Sequence, residues 1–316
     1  MTDAAGNAPA IELRDLTKSF GSTIALDHVS LVVPPGVVFG FLGRNGAGKT
    51  TALRILAGLA RPTAGTAQVL GHDVTRASEA VRQRIGFLPD VPGFYPWMTA
   101  RESLELAGRL FGLDSATVHA RADALLEMAG LASVNTRVGG FSRGMKQRLG
   151  LAQALINGPS VLMLDEPTSA LDPIGRKEVL EMVASLCGRT TVFFSSHILA
   201  DVERVCDAVA ILERGRVVAS AGIAELTSRA SAKQLVVELE GDGDANLVAR
   251  ALADKAWLKT LDTRERSLRM TVSDLGAAQR EIPAAIAATG VALRRFEIDE
   301  TSLEDVFVEL VEGGDQ

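Results

Sequence analysis

From Ile11 to Phe20, and again from Val29 to Val33, apolar and β-branched residues recur with strand spacing, and Gly21 and the Pro34-Pro35-Gly36 cluster supply turns. This predicts a β-rich N-terminal region. Val37 to Leu42 is an uninterrupted apolar run that passes into glycines and a helix-forming stretch, Lys49 to Leu59, the pattern of a buried parallel strand feeding a helix. Between Pro96 and Asn157 the spacing turns helical, opening on Thr99 and Glu102 in capping-box register and closing at Asn157-Gly158-Pro159. Short apolar strands then follow at Val161 to Leu164 and Thr191 to Phe194, around a helix from Gly175 to Leu186; β-α-β order implies a parallel sheet. The expected core is an α/β domain over residues 11–225, split by a helical subdomain at about 96–157.

Residues 226–232, rich in Ser, Thr and Ala, read as a linker. Beyond them the order is strand (Gln234 to Glu240), helix (Asn246 to Ala253), two strands, helix (Leu275 to Thr289), strand (Val291 to Ile298) and a closing helix. That order fits a small α+β, ferredoxin-like βαββαβ domain over 233–316. Its last helix has Thr301 and Glu304 as a capping box and Leu303, Val306, Phe307, Leu310 and Val311 on one face.

Composition narrows the class. A chain of 316 residues with 47% hydrophobic content holds enough apolar surface for about two domains. The greasiest stretch, Leu31 to Leu42, is broken by Pro34, Pro35 and Gly36, so no membrane span is predicted. Residues 1–10 lack a basic patch leading into an apolar core; they read as a disordered tail, and the chain as cytosolic. Cys187 and Cys206 have no metal or redox spacing and are expected to be buried as small apolar residues. A net charge of −6, with no long Lys/Arg run, argues against a broad nucleic-acid surface.

Candidate chemistry begins at Gly43-Arg44-Asn45-Gly46-Ala47-Gly48-Lys49-Thr50, followed by Thr51, between the buried strand and its helix. This is the phosphate-binding loop pattern. Glycines let successive N–H groups face phosphate oxygens, the helix directs its positive end at the same charge, Lys49 adds a mobile cation, and the Thr50 hydroxyl can ligate Mg²⁺. Val161-Leu-Met-Leu164-Asp165-Glu166 puts two acids at the C-terminal end of a buried strand, where ligands bind in open parallel sheets. Asp165 can hold Mg²⁺ and Glu166 can polarise an attacking water; adjacent acids after a strand also serve simply as helix caps. Phe141-Ser142-Arg143-Gly144-Met145 precedes the helical run Lys146 to Ile156, so Ser142 is an N-cap candidate and Gly144 allows close backbone approach.

In this order and spacing the segments resemble the ATP-binding cassette (ABC) ATPase family over about residues 11 to 225. Ser169-Ala-Leu-Asp172 is similar to its D-loop, His197 to its switch histidine, and Phe20 to the aromatic that stacks on adenine. The resemblance implies an ATPase using ATP and Mg²⁺, with Lys49, Glu166 and His197 as catalytic groups and Thr50, Asp165 and Asp90 on the metal side. It also implies a dimer in which ATP at one subunit's Lys49 is capped by the other's Ser142 and Gly144. Such a dimer works peripherally, on the cytoplasmic face of the membrane, beneath a separately encoded integral membrane permease.

Two departures stand out. The family's signature is Leu-Ser-Gly-Gly-Gln, and Phe141, Arg143 and Met145 replace its first, third and fifth residues. Where the family has a glutamine between Mg²⁺ and the membrane subunit, this chain has Asp90, which can ligate a metal but cannot donate a hydrogen bond when ionised. These changes and the tail Thr301 to Phe307 are similar to the antibiotic self-resistance and drug or sodium exporter subgroup. A soluble ABC ATPase acting on nucleic acid or ribosomes is the rival reading, but such proteins usually carry two cassettes, coiled coils or zinc motifs. A cassette that binds ATP without turnover is the other rival, and it is disfavoured by the presence of Lys49, Glu166 and His197 together. Val91 to Met98, with Phe94, Tyr95 and Trp97, is expected to grip a short helix of the membrane partner.

Overall fold

Two apolar runs too greasy for any surface position, Val38–Leu42 and Val161–Asp165, are buried along their whole length and lie in one sheet. The computed structural model describes residues 8–169, 171–229, 233–241 and 243–299. These fall into two compact units, Met1–Ile223 and Ala224–Gln316.

In the first unit β1 (Ile11–Phe20) and β2 (Thr23–Val33) form a hairpin, and β3 (Val38–Leu42) runs into α1 (Lys49–Leu56). Then come β4 (Ala64–Val69), β5 (His72–Asp73), α2 (Ser78–Arg82) and β6 (Ile85–Leu88). Helices α3 (Ala100–Leu110), α4 (Ser115–Met128) and α5 (Arg143–Leu155) intervene before β7 (Val161–Asp165) and α6 (Pro173–Ala184). The chain continues through β8 (Thr191–Ser196), α7 (Leu199–Val205), β9 (Ala208–Glu213) and β10 (Arg216–Gly222); α8 (Ile223–Arg229) starts at the last residue of this unit and belongs otherwise to the second.

Strands β2-β1-β4-β5 make an antiparallel sheet, and β10-β9-β3-β8-β7-β6 a second sheet, parallel except for its β10 edge. The parallel strands β3, β7 and β8 are buried at every residue, which suits their mostly apolar sequences. Their C-terminal ends share one edge, where Leu42 pairs with Ser196 and Asp165 with Ser195.

The inserted helices begin where their caps say. Thr99 accepts from the Glu102 N–H while Glu102 accepts from the Thr99 N–H, a complete capping box for α3. Helix α5 lies directly on β6: a Cβ at Gly86 would stand 2.0 Å from the Ala154 carbonyl oxygen, so only glycine permits this approach. Gly150, one turn earlier in α5, faces Leu88 and Pro92.

Several elements depart from the sequence expectation. Strand β2 starts at Thr23 instead of Val29; β4, β5, β6, β9, β10 and the short helices α2 and α7 stand where the sequence predicts no element, and α8 reaches Arg229, inside the stretch expected as a linker. Ala10, placed in the tail by its sequence, is buried and donates its N–H to Val33. Cys187 is not buried: it sits in the turn after α6 and is exposed. Cys206 is half-buried against Gly40, and burial pushes its thiol pKa up.

The second unit contains β11 (Lys233–Leu239), α9 (Asp244–Leu252), β12 (Leu258–Arg264), β13 (Ser267–Val272), α10 (Leu275–Thr289) and β14 (Leu293–Asp299). Its sheet, ordered β12-β13-β11-β14 and antiparallel throughout, has the ferredoxin-like arrangement. Leu235, Val237 and Leu239 of β11 form its core with Val248, Leu252, Ile282 and Ile286 of the two helices. The closing helix expected from Thr301, with Leu303, Val306, Phe307, Leu310 and Val311, lies outside the described residues. Among the described residues no helix is long and apolar enough to cross a membrane.

Candidate functional site

The turn between β3 and α1 is set by glycine. Gly48 has φ 111°, and a Cβ there would meet the Ala25 carbonyl oxygen at 2.4 Å. Because Gly48 is also the N-cap and offers no side chain, the first N–H groups of α1 stay unpaired by any cap. They form an anion-facing helix end. The Gly43 N–H donates to the Ser196 carbonyl at 3.2 Å, pinning the loop to the end of β8.

Lys49 is 5% exposed. Its ammonium donates to the carbonyls of Gly43 at 2.6 Å and Arg44 at 3.2 Å and lies 2.9 Å from Glu166 Oε1. A buried cation held this way is fully answered by oxygens at the mouth of the loop. Thr50 Oγ1 donates to Asp165 Oδ1 at 3.1 Å, and Ser195 Oγ donates to the same oxygen at 2.9 Å. Burial holds the Asp165 carboxyl above the usual aspartate range; the Ser195 and Thr50 hydrogen bonds oppose this, and the charges of Glu166 and Asp90 add to it.

Glu166 follows directly, with φ 49° in the left-handed region, where a side chain is uncommon. Its N–H is held by Ser195 Oγ at 3.0 Å, and its Oε2 faces His197 Nδ1 at 2.7 Å. The register of β7 against β8 thus brings Asp165, Glu166, Ser195 and His197 to one sheet edge.

A cavity of about 370 Å³ opens here, lined by Asn45, Gly46, Gly48, Lys49, Thr50 and Thr51 from the loop and by Asp90, Glu166, Ser169 and His197 opposite. Its size suits a small-molecule ligand. Asp90 reaches it from the segment after β6, its Oδ1 lying 3.9 Å from Arg143 Nη2. Phe20 is not among the lining residues; it is 56% exposed at the end of β1, with the Lys18 ammonium 4.8 Å from its ring centroid. Arg44 and Ala47 lie within the loop, where the Ala47 N–H closes the turn onto the Arg44 carbonyl at 3.1 Å.

Ser142 and Gly144 are not brought to Lys49. They line a separate cavity of about 300 Å³ with Leu171, Asp172 and Gly175. Ser142 caps α5 by accepting from the Met145 N–H at 3.2 Å, and Asp172 caps α6 by accepting from the Gly175 N–H at 2.9 Å. A larger groove, about 640 Å³, lies between β6, α3 and α5 and includes Phe87, Pro92, Phe94, Leu110 and Phe111. It is bigger than the loop cavity and mostly apolar; its ionisable lining residues are Glu79 and Arg82, whereas the phosphate loop, Glu166 and His197 all meet at the smaller cavity, so the chemistry belongs there.

Sequence reasoning missed Ser195, whose role depends on lying opposite Asp165 in the sheet. It also missed Asp201, fully buried, which accepts from Thr168 Oγ1 at 2.6 Å and Arg176 Nε at 2.5 Å. The signal for Asp201 was faint: one acid in the first turn of a short helix after His197.

Residues 26–169 match the ABC transporter family, and residues 222–311 match the C-terminal domain of the DrrA1-3-like ATP-binding proteins. The bacitracin transport ATP-binding protein BcrA of Bacillus licheniformis is 37% identical over 96% of this chain and 98% of its own length. The daunorubicin resistance ATP-binding protein DrrA3 of Streptomyces coeruleorubidus is 41% identical over 93% of this chain and 95% of its own. Among solved structures, an ATP-binding subunit of an ABC transporter superposes with a TM-score of 0.64 at 31% identity, covering 70% of this chain and 92% of that one. The dimeric cassette MJ0796 bound to ADP and Pi superposes with a TM-score of 0.61 at 26% identity, covering 67% of this chain and 98% of that one.

Proposed function

This chain belongs to the ABC transporter family as an ATP-binding, ATP-hydrolysing subunit, and from that premise we propose that its loop cavity takes Mg²⁺-ATP and powers export through a separate membrane permease. The observation that carries the reading is the meeting of Lys49, Glu166 and His197: Glu166 lies 2.9 Å from the one and 2.7 Å from the other.

The residues fit the metal and the nucleotide. Asp165 is a buried carboxylate answered by two neutral hydroxyls, so its charge lacks a cation. Thr50 lies against it and Asp90 faces the same cavity, an all-oxygen set suited to Mg²⁺ whose remaining positions phosphate oxygens and water would fill. Bound there, Mg²⁺ would neutralise charge on the β and γ phosphates. The bare N–H groups of α1 and the loop of Gly43 to Gly48 would receive the phosphates, with Thr51 at their base. Lys49 would exchange its carbonyl partners and Glu166 for phosphate oxygens. Glu166 Oε1, so freed, would take a proton from the water that attacks the γ phosphorus, while His197 holds the other carboxylate oxygen and orients it. Phe20, with one face against Lys18, would offer its open face to adenine.

The separation of Ser142 and Gly144 from Lys49 within one chain supports a dimer in which each signature turn completes the partner's site. The apolar groove beside Val91 to Met98 supports docking of a permease helix at the inner membrane face. Export, as against import, is supported by the kinship with bacitracin transport and daunorubicin resistance proteins over nearly the whole chain.

Glu166→Gln tests the catalytic assignment. The amide keeps the shape and loses the basicity, so hydrolysis should fall by about 10²- to 10⁴-fold while ATP binding persists. A steady-state rate close to wild type would remove Glu166 from the role of base.

A further inference from the structure

Three carboxylates face the loop cavity or lie beneath it, and each is answered differently. Glu166 meets the Lys49 ammonium at 2.9 Å. Asp165 accepts from the hydroxyls of Thr50 and Ser195. Asp90 faces the guanidinium of Arg143, 3.9 Å from its Oδ1, and that oxygen is shielded from solvent without a hydrogen-bond partner among the described residues. At this separation Arg143 neutralises Asp90 but does not satisfy its lone pairs. The Asp90 oxygen is therefore balanced in charge and still open to a closer cation.

Asp90 and Arg143 come from different parts of the chain. Asp90 follows β6 and lines the cavity, whereas Arg143 is the first residue of α5, beside the Ser142 cap, and lines the neighbouring cavity with Gly144 and Asp172. Within the quoted motifs they are also the two positions that depart in charge from the family's pattern: an acid for a glutamine and a base for a glycine. The fold brings the two changes together, so that each answers the other. Lys49 sets the precedent, since its ammonium too rests on protein oxygens where a nucleotide would offer better ones.

We propose that Arg143 is a positioning residue that serves as placeholder counter-ion for Asp90 in the nucleotide-free chain and gives it up to Mg²⁺ when Mg²⁺-ATP enters. This rests on the Mg²⁺-ATP reading of the cavity. A divalent ion carries twice the charge of a guanidinium and approaches carboxylate oxygens more closely, so it wins the contest for Asp90. Filling the cavity then unties the first turn of α5, with Ser142 and Gly144, from the segment after β6. By linkage the coupling runs both ways: whatever Mg²⁺-ATP takes from the Asp90–Arg143 pair, loss of that pair returns to Mg²⁺-ATP affinity.

The test is equilibrium binding of a fluorescent ATP analogue to the purified full-length chain, with Mg²⁺ and with EDTA. Arg143→Met should tighten Mg²⁺-dependent binding about two- to fivefold, the worth of a half-exposed ion pair, and leave binding in EDTA unchanged within about twofold. Arg143→Lys, which keeps the charge, should stay near wild type. In an Asp90→Asn background, Arg143→Met should change nothing. Equal effects in both backgrounds, or weaker Mg²⁺-dependent binding in Arg143→Met, would overturn the placeholder role. Mg²⁺-independent binding by the wild-type chain would instead overturn the metal reading beneath it. Thermal unfolding of each variant without nucleotide confirms that it is folded.

Discussion

At the scale of single residues, Asp165 sets the tension of the site. Burial holds its carboxyl above the usual aspartate range, so the folded chain holds that proton more tightly than the unfolded one. The sign follows: this group contributes stability at low pH and loses it as pH climbs from the unfolded pKa through the folded one, leaving a cost at neutrality. Asp165→Asn removes the charge and keeps an oxygen for Ser195 and Thr50. It should raise the unfolding midpoint of the nucleotide-free protein by about 2–4 °C, as expected for roughly 1 kcal/mol in a unit of this size, and abolish the extra stabilisation that Mg²⁺ gives with ATP. Thermal scans with and without Mg²⁺-ATP check both halves, and a lower midpoint in the absence of nucleotide would contradict the first. Asp165 and Glu166 were legible in sequence because a strand ending in two acids after a phosphate loop has few other uses. Ser195 was not, because a serine acquires meaning only from what lies opposite it.

Elements are held in register around the site by Asp201. It is 1% exposed and joins three pieces of chain: the loop after β7 through Thr168, α6 through Arg176, and α7, which follows His197. Asp201→Ala would leave the Thr168 hydroxyl and the Arg176 guanidinium without their acceptor. Breaking a buried pair from one side costs about 3–5 kcal/mol, and the partial exposure of Arg176 brings the expected loss to about 2–3 kcal/mol. The urea midpoint should fall accordingly, whereas Asp201→Asn, which can still accept from Thr168, should lose less; equal midpoints for all three proteins would show that the network carries no stability. The inserted helices were readable, since Thr99 with Glu102 and Ser142 announce their starts locally; the short α2 and α7 were not. Strands β6, β9 and β10 were harder: β6 has only four residues, and its place beside β7 is fixed by the helices inserted between them. The exposed Cys187 failed for a related reason, because apolar character said burial while the turn after α6 faces outward.

On the scale of the whole molecule, the chemistry and the proposed docking groove are adjacent along the chain: Pro89 lines the groove and Asp90 the nucleotide cavity. Tyr95 and Trp97 are 53% and 59% exposed, with ring centroids 5.1 Å apart and planes tilted by 37°, so they pack against each other at the surface; neither lines the groove itself. Replacing both with alanine should weaken association with the membrane subunit while basal ATP hydrolysis stays near wild type, because neither ring lines the nucleotide cavity. Undiminished co-purification with the permease would move docking elsewhere. The groove was only partly legible: of the aromatics singled out in sequence Phe94 alone lines it, and Phe87, Phe111 and the floor did not show. That floor includes Gly86 and Ala154, where α5 rests on β6 with no side chain between them, and Gly150, which faces the Leu88 side chain. A helix pressed backbone to backbone against a strand near one end behaves as a lever with its fulcrum there. From Ala154 to Ser142 the arm is ~18 Å at 1.5 Å per residue, so a tilt of about 10° at the groove sweeps the signature turn through ~3 Å. That is the length of a hydrogen bond, so a modest push at the floor of the groove is enough to bring Ser142 within reach of an anion or carry it out of reach.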